Sequence, residues 1–492
     1  MKLKQLLEKL DYNLLQGSDE IKITELTNDS RNVKEGSVFV CVTGAVQDGH
    51  DFVQEVAEKG ATAVIVEKEV EAPEKVTVIK VEDTRYALAL TSAAYFGYPA
   101  DELKVIGITG TKGKTTTTYM VKSILEGVGH KVGLIGTIET IIGDEVIPSK
   151  NTTPESFTIH RYFRKMVDAG CDCVVMEVSS QGLMLHRTAG IPFEIGIFTN
   201  LGEDHIGRNE HKDFDDYKRC KGLLFKQCKI GIANADDAHF EDLFKEATCK
   251  IETIGFSEKA DLQAKDVKLV SSPGHLGVAY KASGLMNFDV EIDIPGTFSV
   301  YNSLTAIAVC RYFDVPVEKI AEALKVAKVK GRIEMVKVSE DFTLMIDYAH
   351  NAMSLHSLLT TLKEYNPKRL VCLFGCGGNR ARARRFEMGE VSGKLADLTI
   401  ITSDNPRFEE PQDIINDIKT GISKTDGKYV EIIDRKEAIR YAIDEAQVGD
   451  VIVLAGKGHE DYQEIKDVKY DMDERVLIAE VVAESKKENL IK

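Results

Sequence analysis

The sequence predicts an α/β protein in three domains, built on parallel sheets with helices on both faces. Three observations carry that expectation. The chain has 492 residues, too many for one hydrophobic core and enough for two to four domains. Short β-branched runs alternate with helical patterns along most of its length, which is the rhythm of α/β folds. One buried strand, Lys104-Val-Ile-Gly-Ile-Thr, runs through a Gly/Lys/Thr loop straight into a helix starting at Thr115, as in parallel-sheet nucleotide-binding domains.

The first domain is placed at 1–100. Leu3, Leu6, Leu7 and Leu10 recur at helical spacing between Lys and Glu, which is an amphipathic helix of the fold and not a signal peptide. Val38-Phe-Val-Cys-Val and Ala63-Val-Ile-Val read as strands, Asp51 to Lys59 as the helix between them, and Tyr98-Pro-Ala as a linker. The second domain, 101–330, adds the strands Cys173-Val-Val-Met-Glu-Val and Ile195-Gly-Ile-Phe-Thr-Asn. It turns antiparallel from about Asp261 to Ile294 and returns to helix at Asn302. The third, 331–492, has strands Thr343-Leu-Met-Ile-Asp, Leu370-Val-Cys-Leu-Phe-Gly, Leu398-Thr-Ile-Ile-Thr and Val451-Ile-Val-Leu-Ala-Gly. Helix-length segments separate them, so this is a second, Rossmann-like domain.

Composition narrows the function classes. Hydrophobic residues at 43% and charged residues at 29% suit a soluble globular protein, and no apolar stretch approaches the roughly 20 residues of a membrane span. A net charge of -16 argues against nucleic acid, whose backbone selects basic surfaces. The nine cysteines are scattered without zinc spacing, so reduced thiols in a cytoplasmic protein are expected.

Gly110-Thr-Lys-Gly-Lys-Thr-Thr116 is the strongest local signal. Its glycines let backbone N–H groups cradle phosphate oxygens at a helix N-terminus. Lys114 then reaches the terminal phosphates and the Thr115 hydroxyl ligates Mg²⁺. Five residues rather than four separate Gly107 from Gly113. A turn that merely joins strand to helix has the same composition, but strand before and helix after favour the phosphate loop. Glu177-Val-Ser-Ser and Thr199-Asn-Leu-Gly-Glu-Asp-His205 end the next two strands, where ligand residues emerge. Glu177 suits Mg²⁺; His205 alone is as readily structural, because hard cations prefer oxygen. Lys221, in Cys220-Lys-Gly-Leu-Leu-Phe, is by itself one helix lysine among many.

The shortened loop Thr109-Gly-Thr-Lys-Gly-Lys-Thr resembles the ATP loop of the Mur ligase family, and the later motifs follow the order of its MurE type across essentially the whole chain. The resemblance implies that Gly110, Thr111, Lys112, Gly113, Lys114, Thr115 and Thr116 hold ATP, with Asn302 near the adenine and Arg332, Asp347 and His350 reaching back to the nucleotide. It implies Lys114, Glu177, His205 and Lys221 as catalytic residues, and Mg²⁺ held by Thr115, Glu177, His205 and Lys221, the lysine as its N6-carboxy (carbamate) form. Thr27-Asn-Asp-Ser-Arg31, Gly36-Ser-Val-Phe-Val and Asp48-Gly-His resemble the uridine-nucleotide domain, with Ser30 on the uracil, although a turn rich in Asx and Ser fits the first of these too.

Asn151, Thr152, Thr153, Ser179 and Arg187 resemble the segments that hold the muramoyl dipeptide. Thr-Thr-Pro-Glu also reads as a helix cap with Pro at its first position. Gly375-Cys-Gly-Gly-Asn-Arg380, Asp404-Asn405-Pro406-Arg407 and Gly456-Lys-Gly-His-Glu460 each follow a predicted strand. In the amine site these imply, Arg380 and Arg407 fork onto carboxylates and Glu460 pairs with an ammonium. The DNPR form resembles enzymes that add meso-diaminopimelate; L-lysine would leave a buried Arg407 unpaired.

The implied function is a cytoplasmic, monomeric, ATP- and Mg²⁺-dependent ligase of peptidoglycan precursor synthesis, and so of cell-wall biogenesis, cell shape and division. It adds meso-diaminopimelate to the D-Glu of UDP-MurNAc-L-Ala-D-Glu through an acyl-phosphate. The alternatives are an L-lysine-adding enzyme of the same type or folylpolyglutamate synthetase. Four positions depart from the family pattern: Gln181 for His, the stretch between His205 and Tyr217, Ala352 for Pro, and Lys112 for Asn.

Overall fold

The computed structural model describes residues 1–44, 46–203, 206–207, 210–272 and 274–487; His205 lies outside the described residues. The chain divides into two compact units, Met1–Gln263 with Leu304–Lys319, and Ala264–Ser303 with Ile320–Lys492.

The first unit holds two sheets. In the smaller, strands Asn13–Gln16, Thr77–Lys80, Ala61–Val66, Ser37–Val40 and Glu25–Thr27 lie in that order, the first antiparallel and the rest parallel. Alternating β-branched residues bury both faces. Val38, Val40 and Ile65 pack with Leu3, Leu6 and Leu88, while Phe39, Val64 and Val66 pack with Val53 and Val56. The first helix is shorter than the leucine spacing suggests, Leu3–Leu6 only; Leu10 joins the same core from the turn beyond it. The helix expected from Asp51 divides into a 3₁₀ turn, Gly49–Phe52, capped by Asp48, and the α-helix Val53–Glu58.

The larger sheet runs parallel through Lys250–Gly255, Cys228–Asn234, Phe193–Phe198, Lys104–Thr109, Cys173–Glu177 and Val132–Ile135, then antiparallel through Glu139–Ile142 and Glu145–Pro148. The phosphate-loop strand is therefore interior, flanked by the strands that end in Glu177 and Phe198. Its register, Ile108 opposite Glu177 and Thr109 opposite Phe198, brings three chain exits together at one carboxyl edge. Ligand sites of open α/β sheets form at such edges.

In the second unit, His275–Gly284 pairs antiparallel with Phe288–Ile292. A six-stranded sheet follows in the order Glu334–Val336, Thr343–Asp347, Asp450–Ala455, Arg369–Phe374, Leu398–Ile401 and Tyr429–Glu431, parallel except for its first strand. A buried ion pair, Arg435 to Glu474 at 2.8 Å, anchors its carboxyl edge, for Arg435 also donates to the carbonyls of Ser403 and Ala455.

Two local expectations are corrected. Thr152-Thr-Pro-Glu does not cap a helix with its hydroxyls: the helix is Ser156–Asp168, and Glu155 precedes it without a side-chain cap bond. The helix expected at Asn302 begins earlier, at Thr297, where the apolar run takes over. All nine cysteines are free thiols, and no helix among the described residues is long and apolar enough to cross a membrane.

Candidate active site

The strand Lys104–Thr109 gives way to a loop that only glycine can turn. Gly110 has φ +147°, and a Cβ there would lie 1.9 Å from Thr199 Oγ1. Gly113 is left-handed at φ +86° and precedes the helix Lys114–Glu126. The neighbouring strand end braces the loop: Thr199 Oγ1 and Asn200 Nδ2 donate to the Lys112 carbonyl at 2.7 and 3.0 Å, and Asn200 Oδ1 accepts from Lys112 N–H at 2.9 Å. Lys114 Nζ donates to the carbonyls of Gly110 and Thr111 at 2.8 and 3.1 Å. Lys221 Nζ comes to the same Gly110 carbonyl at 2.9 Å. Lys221 is 2% exposed and stands 4.5 Å from the centroid of the Tyr217 ring, whose hydroxyl meets Thr111 Oγ1 at 3.0 Å. Two ammonium groups so placed at the start of the helix Lys114–Glu126 make an anion site.

Glu177, 1% exposed, supplies the oxygen side. Its carboxylate accepts from Thr115 Oγ1 at 3.1 Å and from the amide and hydroxyl of Thr137, both at 2.9 Å. A hydroxyl and a carboxylate this close suit a hard cation that takes oxygen ligands, so these residues fit Mg²⁺ beside a nucleotide phosphate.

The segments expected to hold the donor converge on the same strand end. Thr153 is buried; its hydroxyl donates to the Glu177 carbonyl and accepts from Ser179 N–H, both at 2.9 Å. It fixes the turn rather than offering its hydroxyl outward. Thr152 Oγ1 meets Thr137 Oγ1 at 3.0 Å, and Asn151 is exposed. Arg187 donates to the Thr153 carbonyl at 2.9 Å and pairs with Glu155 at 2.6 Å. The Ser179 hydroxyl accepts from Gly182 N–H at 3.0 Å and keeps its own proton to donate. Ser30, in the smaller sheet's domain, opens a 3₁₀ turn capped by Asp29 and is half-buried. Thr116 lies on the loop helix.

In the second unit, Asn302 is buried on the helix Thr297–Arg311. Arg332 lies 4.8 Å from the Tyr348 ring centroid. Asp347 accepts from Ile333 and Ala349 N–H, both at 2.8 Å, and burial pushes its carboxyl above the ordinary carboxylate range. Exposed His350 lies against Tyr348 with its ring tilted by 53°, its Nδ1 2.9 Å from the Tyr348 carbonyl.

The three loops at this unit's carboxyl edge do converge. A Cβ on Gly375 would lie 2.4 Å from the Thr402 carbonyl, and one on Gly378 1.9 Å from that of Pro406, so the DNPR segment packs directly on the glycine-rich turn. A Cβ on Gly456 would lie 3.2 Å from Asp404 Oδ2. Arg407 donates through Nε to Glu464 at 2.9 Å and through Nη1 to the Gly378 carbonyl at 2.7 Å. Arg380 stays exposed, with no ion pair or hydrogen bond among the described residues. The ammonium on Glu460 is the chain's own: Lys457 Nζ lies 3.0 Å from Glu460 Oε2 and 3.0 Å from Asn405 Oδ1, while Asn405 Nδ2 donates to Glu460 at 3.1 Å. In this structure Glu460 already has an ammonium partner within the chain.

Lys457, fully buried, and Glu464 were not anticipated. Lys457 meets Asn405 from 52 residues away and Glu464 meets Arg407 from 57, beyond the reach of local spacing, although Lys457 also pairs with Glu460 three residues on. A lysine between two glycines at the end of the apolar run Val451-Ile-Val-Leu-Ala was the available signal for the first; Glu464 had none.

Comparison with known proteins agrees with this arrangement. Profiles described as Mur ligase family catalytic domain, Mur ligase middle domain and Mur ligase glutamate ligase domain match residues 22–96, 108–310 and 331–458. The chain is 45% identical to UDP-N-acetylmuramoyl-L-alanyl-D-glutamate--2,6-diaminopimelate ligase 1 of Clostridium acetobutylicum, over 98% of this chain and 100% of that one. It is 43% identical to the Clostridium perfringens protein of the corresponding name, over 98% and 99%. A solved structure of a ligase so named, 28% identical, superposes with a TM-score of 0.74 over 99% of both chains. Mycobacterium tuberculosis folylpolyglutamate synthase, at 16% identity and a TM-score of 0.59 over 76% of this chain and 92% of that one, shares the fold. With its phosphate loop, these profiles and these relatives, the chain belongs to the Mur ligase family of ATP-dependent ligases, in the family's three-domain architecture.

Proposed function

We propose that this chain joins meso-diaminopimelate to the D-Glu carboxylate of UDP-MurNAc-L-Ala-D-Glu, with ATP as co-substrate, in the cytoplasm and as a monomer. Region 1–100 holds the uridine nucleotide through Ser30, 101–330 holds ATP and the dipeptide, and 331–492 holds the amine. The observation that carries the reading is the shared Gly110 carbonyl, where Lys114 and Lys221 both end, with Glu177 held on Thr115 nearby in the same sheet edge.

Lys114 neutralises charge on the transferring phosphoryl group as the donor carboxylate takes it up. Thr115, Glu177, His205 and Lys221 in its carbamate form would hold Mg²⁺, which would supply further charge neutralisation at the phosphates. Ser179 and Arg187 orient the donor, and no side chain need act as nucleophile. The amine then displaces inorganic phosphate from the acyl-phosphate. Asn302, Arg332, Asp347 and His350 serve the nucleotide. Arg407, steered by Glu464, and Arg380 take carboxylates of the amine, and the distal one distinguishes diaminopimelate from lysine.

The test is phosphate release by the purified chain with UDP-MurNAc-L-Ala-D-Glu, MgATP and either amine. Release that depends on diaminopimelate is expected. Failure of either amine to stimulate release overturns the function, and faster release with L-lysine overturns the acceptor.

A further inference from the structure

The stretch between His205 and Tyr217 departs from the family, and the steps above leave His211 without a role. The described part of that stretch closes on itself: Ile206 bridges His211, and the His211 carbonyl accepts from Gly207 N–H at 3.2 Å. Closure brings His211, 1% exposed, between two elements of the active site. Its Nε2 lies 2.9 Å from Ser180 Oγ and its Nδ1 3.2 Å from Asp216 Oδ2. Its ring meets Tyr217 edge-on at 5.2 Å. Arg219 bonds Asp216 at 2.7 Å and holds that carboxyl below the usual range. Asp216 therefore faces the ring as an anion and takes the Nδ1 proton, which leaves Nε2 to accept from Ser180.

The order Ser–His–Asp is that of a nucleophilic hydrolase, but Ser180 is 3% exposed, too buried for a substrate to meet its hydroxyl. Cys220 shares Asp216, its thiol donating to Oδ1 at 3.8 Å. What remains is mechanical. Ser180 follows Ser179 in the donor turn and opens a helix of only five residues, Ser180–Met184, too short to hold itself. Asp216 lies on the helix Phe214–Gly222, which reaches the phosphate loop through Tyr217 and Lys221.

We propose that His211 is a positioning residue for the donor: by joining Ser180 to Asp216 it sets the Ser179–Ser180 turn against the helix that carries Tyr217 and Lys221. The inference rests on the proposed function, in which Ser179 receives the dipeptide.

The test is calorimetry of UDP-MurNAc-L-Ala-D-Glu binding to the full chain, with KM for diaminopimelate measured in parallel. His211→Ala and Ser180→Ala are each expected to weaken donor binding about tenfold, and the double variant no further than the worse single one, as for groups acting through each other. His211→Gln, whose amide oxygen accepts from Ser180, recovers most of the loss, and the KM for diaminopimelate stays within about twofold. A purely structural role would lower the active fraction and leave donor Kd unchanged. Unchanged Kd in a folded variant, or single losses that multiply in the double, overturns the relay alone. A wild type that binds no donor overturns the proposed function and the relay with it. If His211→Ala fails to fold, Ser180→Ala, which removes one hydroxyl, decides by the same Kd.

Discussion

The phosphate loop of the first unit and the crevice proposed for the amine in the second hold their charged groups by different means. At the loop, Lys114 and Lys221 lean on a backbone carbonyl, and Gly110 leaves no room for a side chain. In the crevice, Arg407 leans on Glu464, and Lys457 on Asn405 and Glu460. A group held by backbone is fixed by the fold itself; a group held by other side chains changes with one substitution and leaves the sheet intact. The division suits the roles proposed for the two regions, ATP at the loop and the amine in the crevice.

The largest break should come at the loop. Lys114→Ala is expected to lower phosphate release about a thousandfold by removing charge stabilisation, with the melting midpoint nearly unchanged. The crevice should separate amine from nucleotide. Arg407→Ala is expected to lower kcat/KM for diaminopimelate about a hundredfold, while the KM for ATP moves less than about twofold. Glu464→Gln keeps the shape and removes the charge that steers Arg407, with a loss of about tenfold. Equal rises in both KM values would erase the contrast between the regions.

The smallest effect tests the scaffold of the first unit. His160 is 1% exposed, edge-on to Phe163 at 6.0 Å, and neither ring nitrogen has a partner among the described residues. Burial pushes its pKa down to about 4 from the ordinary 6.5. As pH falls from 6.5 toward 4, the unfolded chain binds this proton first, so stability drains away across that window. His160→Leu is expected to raise stability by about 1–2 kcal/mol at pH 7, and by more at pH 5. Urea unfolding at the two pH values measures both; a smaller gain at pH 5 contradicts the burial argument.

What could be read from the sequence followed the range of the interactions. The strand, loop and helix at 104–126 are contiguous, so the phosphate site was plain, and the ends of the strands at Glu177 and Phe198 marked the edge it occupies. The three crevice loops were found because each follows its own apolar strand. Local patterns misled where tertiary packing overrode them: Leu10 reaches its core without extending the first helix, and Thr153 spends its hydroxyl on Glu177 and Ser179 instead of a helix cap. Lys457, Glu464 and His211 escaped notice because each has a partner from a distant segment, Asn405, Arg407 and Ser180. A resemblance carried over motif by motif transmits the motif residues, not those that hold them.

Arg407 has one further property. Its backbone is left-handed, at φ +52°, held there by the Glu464 carbonyl on one side and Lys466 N–H on the other. For a residue with a long side chain that conformation costs about 1 kcal/mol or more, which glycine escapes and asparagine largely escapes. Heat resistance and amine choice therefore pull this position in opposite directions. In a library of variants propagated for thermal survival alone, glycine and asparagine should accumulate at 407. The frequency of arginine there thus becomes an internal gauge of whether a selection still asks the protein to tell one amine from another.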